Sequence, residues 1–128
     1  VIVPAACKGE WKLEKADIRK IVAAGDTVKL DYDTIKFATL PFCAFPKITF
    51  GNKDCLFDAG IYTTSPYETD FSETGKMKFG FTGHAGMIEF RYEIKRSNRL
   101  ILTRLFDMYD SNIRETYPVL IVLTYRKL

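Results

Sequence analysis

The sequence predicts an all-β protein, an eight-stranded antiparallel meander barrel with one short helix after strand one. Apolar and polar residues alternate along short segments that are separated by turn-rich stretches, and a period of two is typical of half-buried strands. We count about eight such segments, a number at which an antiparallel sheet closes into a barrel. Trp11 lies on the first segment and Arg126 on the last, so closure would bring these two residues together.

Length and composition limit the number of domains and the kinds of partner that this chain can have. The 128 residues, 47% of them hydrophobic, suffice for one domain with a full core but not for two. We expect residues 1–8 to be an N-terminal extension and residues 9–128 to form the barrel. The net charge is +3, with basic residues spread singly among acidic ones, which argues against a nucleic-acid partner. No apolar run approaches the roughly 18 residues of a transmembrane helix.

Near the start of the chain the spacing of the apolar residues changes, and this change predicts a strand followed by a helix. Glu10–Lys15 alternates and is predicted as strand one. In Asp17–Ala24 the apolar residues instead recur at three and four residues, with Asp17 as a candidate cap and Gly25 beyond the end. This pattern predicts a short amphipathic helix.

Alternation returns in strand two, which is predicted from Thr27 to Phe37. Pro41 and Pro46 exclude a central strand between them, because neither residue can donate to a ladder. That segment is predicted as a loop whose aromatic residues cover the barrel mouth or form a contact surface. The next strands are predicted at Lys47–Phe50 and Cys55–Thr63.

The C-terminal half is the most regular part of the chain. The polar segments Thr64–Gly75 and Asp107–Tyr117 are predicted as long loops. The remaining strands of the meander alternate clearly and are predicted at Lys76–Phe81, Met87–Ile94, Leu100–Phe106 and Val119–Arg126.

The three cysteines allow at most one internal disulfide. Cys7 follows small residues in a pattern close to a bacterial lipoprotein cleavage site, which makes it a possible lipid anchor. Cys43 and Cys55 would then be able to pair in an oxidising compartment, and we predict that disulfide with Cys7 free. The alternative is three buried, reduced thiols. Zinc is not expected, because three Cys and one His at these spacings match no finger pattern.

The sequence offers no catalytic residue. His84 lies in a glycine-flanked turn and is read as an exposed turn residue. No Ser or Cys stands in a nucleophile motif, and the paired carboxylates have no specific spacing. We therefore expect a protein that is not an enzyme and that uses no cofactor or metal.

The string Gly9-Glu10-Trp11, the eight-strand meander and the basic residue near the end resemble the lipocalin and calycin superfamily. The resemblance is to the compact lipocalin-like domains of bacterial envelope lipoproteins. It implies a non-enzymatic protein, secreted or in the cell envelope, that holds a small apolar ligand in its barrel. The later Thr-Asp-Tyr type motif and the C-terminal helix of larger lipocalins are not recognisable in this sequence.

Two groups of residues have candidate roles in such a barrel. Trp11 and Arg126 would be a structural clasp, because a guanidinium on an indole face is a cation–π contact. Interior rings would contact the ligand and polar groups would fix its head, although such rings are more often packed core. The candidate ligand-binding residues are Tyr32, Phe79, Phe81, Phe90, Tyr92 and Arg104.

A second class of function is a protein-binding module, most concretely a protease inhibitor. Small bacterial metalloprotease inhibitors are similar barrels in which a free segment ahead of the Gly-x-Trp strand enters the protease cleft. Val1–Ala6 is apolar and contains a proline in the same place; the alternative is a leftover leader or a disordered terminus. The protein-contact residues would be Val3, Pro4, Ala5, Ala6, Phe42 and Phe45.

Overall fold

The computed structural model describes residues 3–23, 25–29, 46–52, 54–58, 67–80, 88–110 and 113–128. Within them lie a short 3-10 turn, Ala5–Cys7, and nine strands. The strands are β1 Gly9–Ala23, β2 Asp26–Lys29, β3 Lys47–Phe50, β4 Asp54–Asp58, β5 Tyr67–Asp70, β6 Lys76–Gly80, β7 Ile88–Lys95, β8 Arg99–Asp110 and β9 Glu115–Lys127. The described chain is thus almost entirely strand, and the all-β prediction is confirmed.

The described strands form one antiparallel sheet in the order β2-β1-β3-β4-β5-β6-β7-β8-β9. β9 also pairs with β1, and this additional ladder joins the two ends of the sheet. From β3 onward each strand pairs with the next one along the chain. The sheet is therefore barrel-like, as the sequence predicts.

The predicted count of eight strands is wrong, because the described residues contain nine, and the additional strand is β5, inside a segment predicted as a loop. Two separate strands share one edge of β1. β1 is 15 residues long. It pairs with β2 near its end, where Arg19 faces Lys29, and with β3 near its start, where Lys12 faces Lys47. Residues 30–45, which include the predicted proline-bracketed loop and the rest of predicted strand two, lie outside the described residues.

The predicted helix Asp17–Ala24 is also wrong, because β1 continues through it. Residues 15–20 pair one by one with β9, from Lys15 opposite Thr124 to Lys20 opposite Val119. The register with β9 shifts between Leu13 and Lys15, and the register with β2 shifts between Ile21 and Ala23. Such a bulge inserts a residue and breaks the period of two. The apolar spacing that resembles a helical repeat is thus that of a bulged strand whose ladder overrides its local pattern.

Both predicted long loops contain strand. β5 lies inside Thr64–Gly75, and the polar segment Asp107–Tyr117 is largely the end of β8 and the start of β9. Pro118 fits this hairpin because the β1 ladder ends at Val119. β8 is therefore the one strand paired with Pro118 among the described residues, and proline is tolerated at such edge positions.

The core lies on the inner face of the barrel, and one end of it is completely filled. Trp11, Leu100 and Tyr125 are each 0% exposed. Phe50 and Phe71 pack edge to face against each other, with ring centroids 6.2 Å apart. The remaining buried apolar residues of the core are Val3, Cys7, Ile18, Ile48, Cys55, Met77, Phe90, Leu102, Tyr117, Val119, Ile121 and Leu123.

Two substitutions in β1 distinguish the strand from the predicted helix. Ile18 is 1% exposed and Val22 is 50% exposed, whereas both would lie on the buried face of an amphipathic helix. Ile18→Ala should lower the free energy of unfolding by about 2–5 kcal/mol, because it leaves a cavity. Val22→Ala should lower it by less than about 0.5 kcal/mol. Urea denaturation measures both values, and equal losses would contradict the strand.

Candidate functional site

The inner face of the barrel carries fully buried apolar and aromatic side chains around Trp11 and half-buried basic side chains farther along. We call the fully buried part around Trp11 the packed end. Beyond it, β1 and β8 place a basic side chain on either side of β9. The ladders align the inner face there in two rows, Ile18 with Ile121 and Arg104, then Lys20 with Val119 and Phe106.

Both basic side chains lie over aromatic rings. Lys20 Nζ is 4.2 Å from the centroid of the Tyr117 ring. Arg104 Cζ is 4.7 Å from the centroid of Phe106 and 5.9 Å from that of Phe90. Each such contact stabilises the cation by about 0.5–2 kcal/mol, more as water is removed. We call this part of the barrel's inner face the basic end. It is formed by the side chains of Lys20, Arg104, Phe106 and Tyr117.

Burial at the basic end is incomplete. Lys20, Arg104 and Phe106 are half-buried, whereas Tyr117 is 7% exposed and Phe90 is 2% exposed. The basic end therefore combines aromatic surface with two cations that still reach solvent. This combination of apolar lining and a few polar groups is typical of small-molecule sites.

A concavity lies on the outside of the barrel. A groove of about 610 Å³ runs over the outer faces of β7, β8 and β9. Charged, polar and aliphatic side chains alternate along it, and Arg104 and Phe106 contribute to its wall. The outer-face residues that line it are Glu89, Arg91, Thr103, Leu105 and Leu120.

The candidate ligand-binding residues separate into three groups. Phe90 and Arg104 are brought together at the basic end. Tyr92 lies nearer the packed end, where its ring packs 5.5 Å from Phe71 and burial raises the pKa of its hydroxyl. Tyr32, Phe81 and the side chain of Phe79 lie outside the described residues.

Sequence reasoning missed three residues of the basic end as candidates. Lys20 falls in the predicted helix and Tyr117 in a predicted loop, so neither was assigned to the inner face. Phe106 shares a strand face with Arg104 and was counted among the interior rings, but it was not named among the candidate ligand-binding residues. The signal for Tyr117 was present, because the alternation of Val119, Ile121 and Leu123 extends back to it without a break.

The predicted clasp joins the correct strands through the wrong residue. Trp11 pairs with Lys127, and Lys127 Nζ lies 5.5 Å from the centroid of the indole ring. Arg126 faces the opposite side of β9, where its Nε lies 3.7 Å from a carboxylate oxygen of Glu14. The correction follows from register, since adjacent residues of a strand point to opposite faces.

The segment ahead of β1 is part of the core rather than a free arm. The Val3 amide donates a hydrogen bond of 2.8 Å to the carbonyl of Asn52. The Trp11 indole N–H donates one of 2.8 Å to the carbonyl of Cys7. Val3 is 1% exposed and Cys7 is 0% exposed. The predicted extension thus contributes Val3 and Cys7 to the core of the barrel.

This arrangement also bears on the inhibitor hypothesis. Of the candidate protein-contact residues, Val3 is buried and Pro4 half-buried, while Ala5 and Ala6 are exposed. Phe42 and Phe45 lie outside the described residues. The described segment is thus held by a hydrogen bond on either side of its 3-10 turn, and the inhibitor hypothesis stays a prediction.

The two described cysteines are free and buried, Cys7 and Cys55. Burial raises the pKa of the Cys7 thiol to about 11 and that of the Cys55 thiol to about 12. The predicted Cys43–Cys55 disulfide is wrong, because Cys55 is free. A lipid attached to Cys7 would require this fully buried side chain to move out of the core. Neither cysteine feature that pointed to an envelope or secreted protein is therefore retained in the structure.

Other chemistry is sparse in the part of the chain that the structure describes. These residues contain no group of three or more His, Cys, Asp or Glu that could hold a metal ion. None of their helices is long and apolar enough to cross a membrane. His84 lies outside the described residues. Comparisons with protein families, curated proteins and solved structures found no match to this chain.

The corrected clasp is tested by two neighbouring substitutions. Lys127→Ala should lower the free energy of unfolding by about 0.5–1 kcal/mol, because it removes the cation and its aliphatic stem from the Trp11 ring. Arg126→Ala should change it by less than about 0.5 kcal/mol, because an exposed ion pair contributes little. Glu14 also keeps Arg99 at 3.0 Å in that variant. Urea denaturation measures both values. A larger decrease in the free energy of unfolding for Arg126→Ala than for Lys127→Ala would contradict the corrected clasp and favour the predicted Trp11–Arg126 contact.

The buried thiols should be inert in the native protein. In a Cys43→Ser variant at pH 8, neither Cys7 nor Cys55 should react with 5,5′-dithiobis(2-nitrobenzoic acid), because burial leaves almost no thiolate. Both should react after denaturation. Above the ordinary thiol pKa of 9.0 the unfolded chain ionises first, so the free energy of unfolding should fall as pH rises. Rapid native labelling of either thiol would contradict its burial.

Proposed function

We propose that this protein is a non-enzymatic, lipocalin-like binding protein that holds a small apolar ligand at the basic end of its barrel. The observation that carries the proposal is that the half-buried Lys20, Arg104 and Phe106 share the inner face of the basic end with the buried Val119 and Tyr117. A purely structural barrel would be expected to fill its interior along the whole length with apolar side chains. Here the inward positions on either side of β9 are instead occupied by Lys20 and Arg104.

The apolar part of the site is supplied by side chains that are only partly covered. Phe106 is half-buried beside Arg104. Val28 is the β2 partner of Lys20, so it lies on the same inner face, and it is 51% exposed. An aliphatic side chain that faces inward and remains half exposed offers surface for an apolar ligand to cover.

The packed end is not proposed as part of the ligand site. Trp11, Leu100 and Tyr125 have no exposed surface left to offer, and a ligand there would have to displace core side chains. Phe90 is 2% exposed and belongs to this core. Its ring also contacts the guanidinium of Arg104. Tyr92 belongs to the same packed region through Phe71.

The outer groove is the competing location on the described surface. Its lining mixes Glu89 and Arg91 with aliphatic side chains, and Leu105 is 62% exposed. Opposite charges close together suit an apolar ligand less well than the aromatic rings inside the barrel. Because Leu105 and Phe106 are adjacent in β8 and face opposite sides, they form a matched pair for distinguishing the two locations.

The test is binding of a neutral apolar fluorophore, N-phenyl-1-naphthylamine, to the wild type, Phe106→Ala and Leu105→Ala. We expect saturable binding to the wild type and a roughly tenfold loss of affinity in Phe106→Ala, because a phenyl contact of about 1.5 kcal/mol is removed. Leu105→Ala should bind as the wild type does. Thermal unfolding followed by circular dichroism confirms that both variants are folded.

Two outcomes would contradict the proposal. Absence of saturable binding to the wild type would remove the ligand-binding function. A loss of affinity in Leu105→Ala, alone or together with Phe106→Ala, would move the ligand to the outer groove, because both residues contribute to that groove.

A further inference from the structure

The outer surface of four neighbouring strands, β7, β8, β9 and β1, carries three rows of side chains. In the first row the ladders align Glu93, Ile101, Thr124 and Lys15. The second and third rows lie two and four residues farther from the packed end on each strand, and side chains two residues apart point to the same face of a sheet. We call the outward side chains of these three rows the outer patch.

Each row of the outer patch has opposite charges at its two ends, and the signs alternate from row to row. The ends lie on β7 and β1, and they are Glu93 with Lys15, Arg91 with Asp17, and Glu89 with Arg19. Because two strands separate β7 from β1, the ends of one row are about 14 Å apart. They are too distant to form an ion pair within one copy of the chain.

The charges at the ends of the first row are not paired in the part of the chain that the structure describes. Both side chains are exposed, and neither makes an ion pair with another described residue. The third row is partly compensated, because Arg19 forms an ion pair of 3.2 Å with Asp17 and Glu89 lies 3.8 Å from Lys78 Nζ. The first row therefore offers two full charges to a partner.

The middle of the outer patch is largely aliphatic and only partly covered. Leu105 is 62% exposed in the third row, beside the half-buried Leu120. Ile101 and Val122 are half-buried in the other two rows. Tyr109 continues the same face of β8 toward the hairpin end and is 59% exposed. Contiguous apolar surface with a charged margin is typical of a protein contact.

We propose that the outer patch binds the outer patch of a second copy of this chain, about a two-fold axis that runs along the strands between β8 and β9. The inference is independent of the proposed function. A half-turn about this axis exchanges the β7 and β1 sides of the patch and keeps each row in place. Glu93 then lies opposite Lys15 of the partner subunit, and Arg91 lies opposite the partner's Asp17. Each row is thus complementary to itself, as a two-fold interface requires.

The charges also disfavour the other two-fold arrangement of the same faces. An axis across the strands would exchange the first and third rows. Glu93 would then lie opposite the partner's Glu89, and Arg91 opposite the partner's Arg91, so like charges would repel. The alternation of signs therefore specifies the orientation with aligned strands, which is a common packing of two sheets.

The size of the outer patch indicates a weak and reversible dimer. Leu105 would cover Leu120 of the partner subunit in the middle. Four strands, followed from the first row to Tyr109, present on the order of 500 Å² in each copy. A total of about 1,000 Å² is at the lower limit for a specific interface. The fraction of dimer should therefore depend on protein concentration.

Analytical ultracentrifugation of the full chain tests the dimer, at concentrations from about 5 to about 500 µM. We expect a monomer–dimer equilibrium for the wild type. Its dissociation constant should rise with salt concentration, because the charged ends lie at the margin of the interface.

Charge reversals in the first row test the orientation. Glu93→Lys places lysine opposite lysine at two symmetric points, and Lys15→Glu places glutamate opposite glutamate. Each should raise the dissociation constant roughly tenfold or more. Glu115→Lys is the matched control, because Glu115 is also exposed but lies on the other face of the sheet, in β9. It should leave the dissociation constant unchanged, and circular dichroism verifies that every variant is folded.

Mixing the two single variants tests the pairing directly. In a heterodimer of Glu93→Lys with Lys15→Glu, a lysine lies opposite a glutamate at both symmetric points. An equimolar mixture should therefore recover dimer formation, and the double variant Glu93→Lys with Lys15→Glu should recover it by itself. Recovery separates complementary charge from damage to the fold, because the same altered side chains are present.

Three results would overturn the proposal. The first is a wild type that stays monomeric over the whole concentration range. The second is a dimer that neither single variant weakens, since another surface would then form it. The third is a general effect of charge, seen as an equal loss in Glu115→Lys or as failure of both the mixture and the double variant to recover the dimer.

Discussion

The ladder between β1 and β9 is the interaction on which the rest of the structure depends. It joins the two ends of an otherwise linear meander, from Trp11 opposite Lys127 to Lys20 opposite Val119. Without it β1 and β9 would each expose a row of unpaired backbone groups, and the inner face would open to water. The bulge between Leu13 and Lys15 allows one strand to keep Trp11 and Ile18 inside along this whole ladder. The length of β1 also lets β2 and β3 share its other edge.

Closure of the sheet explains why the two ends of the barrel differ. At the packed end, the segment before β1 is held by hydrogen bonds of Val3 and Trp11 and adds Cys7 to the core. That end is filled by the chain itself. At the other end the β1 ladder stops at Lys20 while β8 and β9 continue as a hairpin. There Lys20 and Arg104 are half-buried, and each lies on an aromatic ring while its charged group still reaches water.

The fold class could be predicted from the sequence alone. The course of β1 and the register between strands could not. Strict alternation in β7, β8 and β9 identified these strands, because a period of two has no helical reading. The helix was misassigned because Ile18, Ile21 and Val22 imitate a helical repeat, and only the ladder with β9 shows otherwise. Register could not be obtained from composition either. A difference of one residue decides whether Lys127 or Arg126 covers Trp11.

The same limit applied to the candidate site. Phe90 and Arg104 were found because each shares a strand face with apolar or aromatic residues two positions away in a clear strand. Lys20 and Tyr117 were missed because their segments appeared helical or loop-like, and a cation that faces inward carries no local sequence mark. The burial of Cys7 depends on how the preceding segment folds back, which no motif in the sequence encodes. Contacts between residues distant in the chain decided each of these points.

The place of Trp11 also has a kinetic consequence. It is the one Trp of the chain and lies in the ladder between strands that are separated by nearly the whole sequence. Contacts of such large sequence separation form slowly, because the entropy of closing the intervening loop opposes them until other strands have shortened it. The indole therefore enters its final environment only when the first and last strands meet. Its fluorescence is a built-in reporter of the closing step of folding, distinct from the earlier formation of the local hairpins.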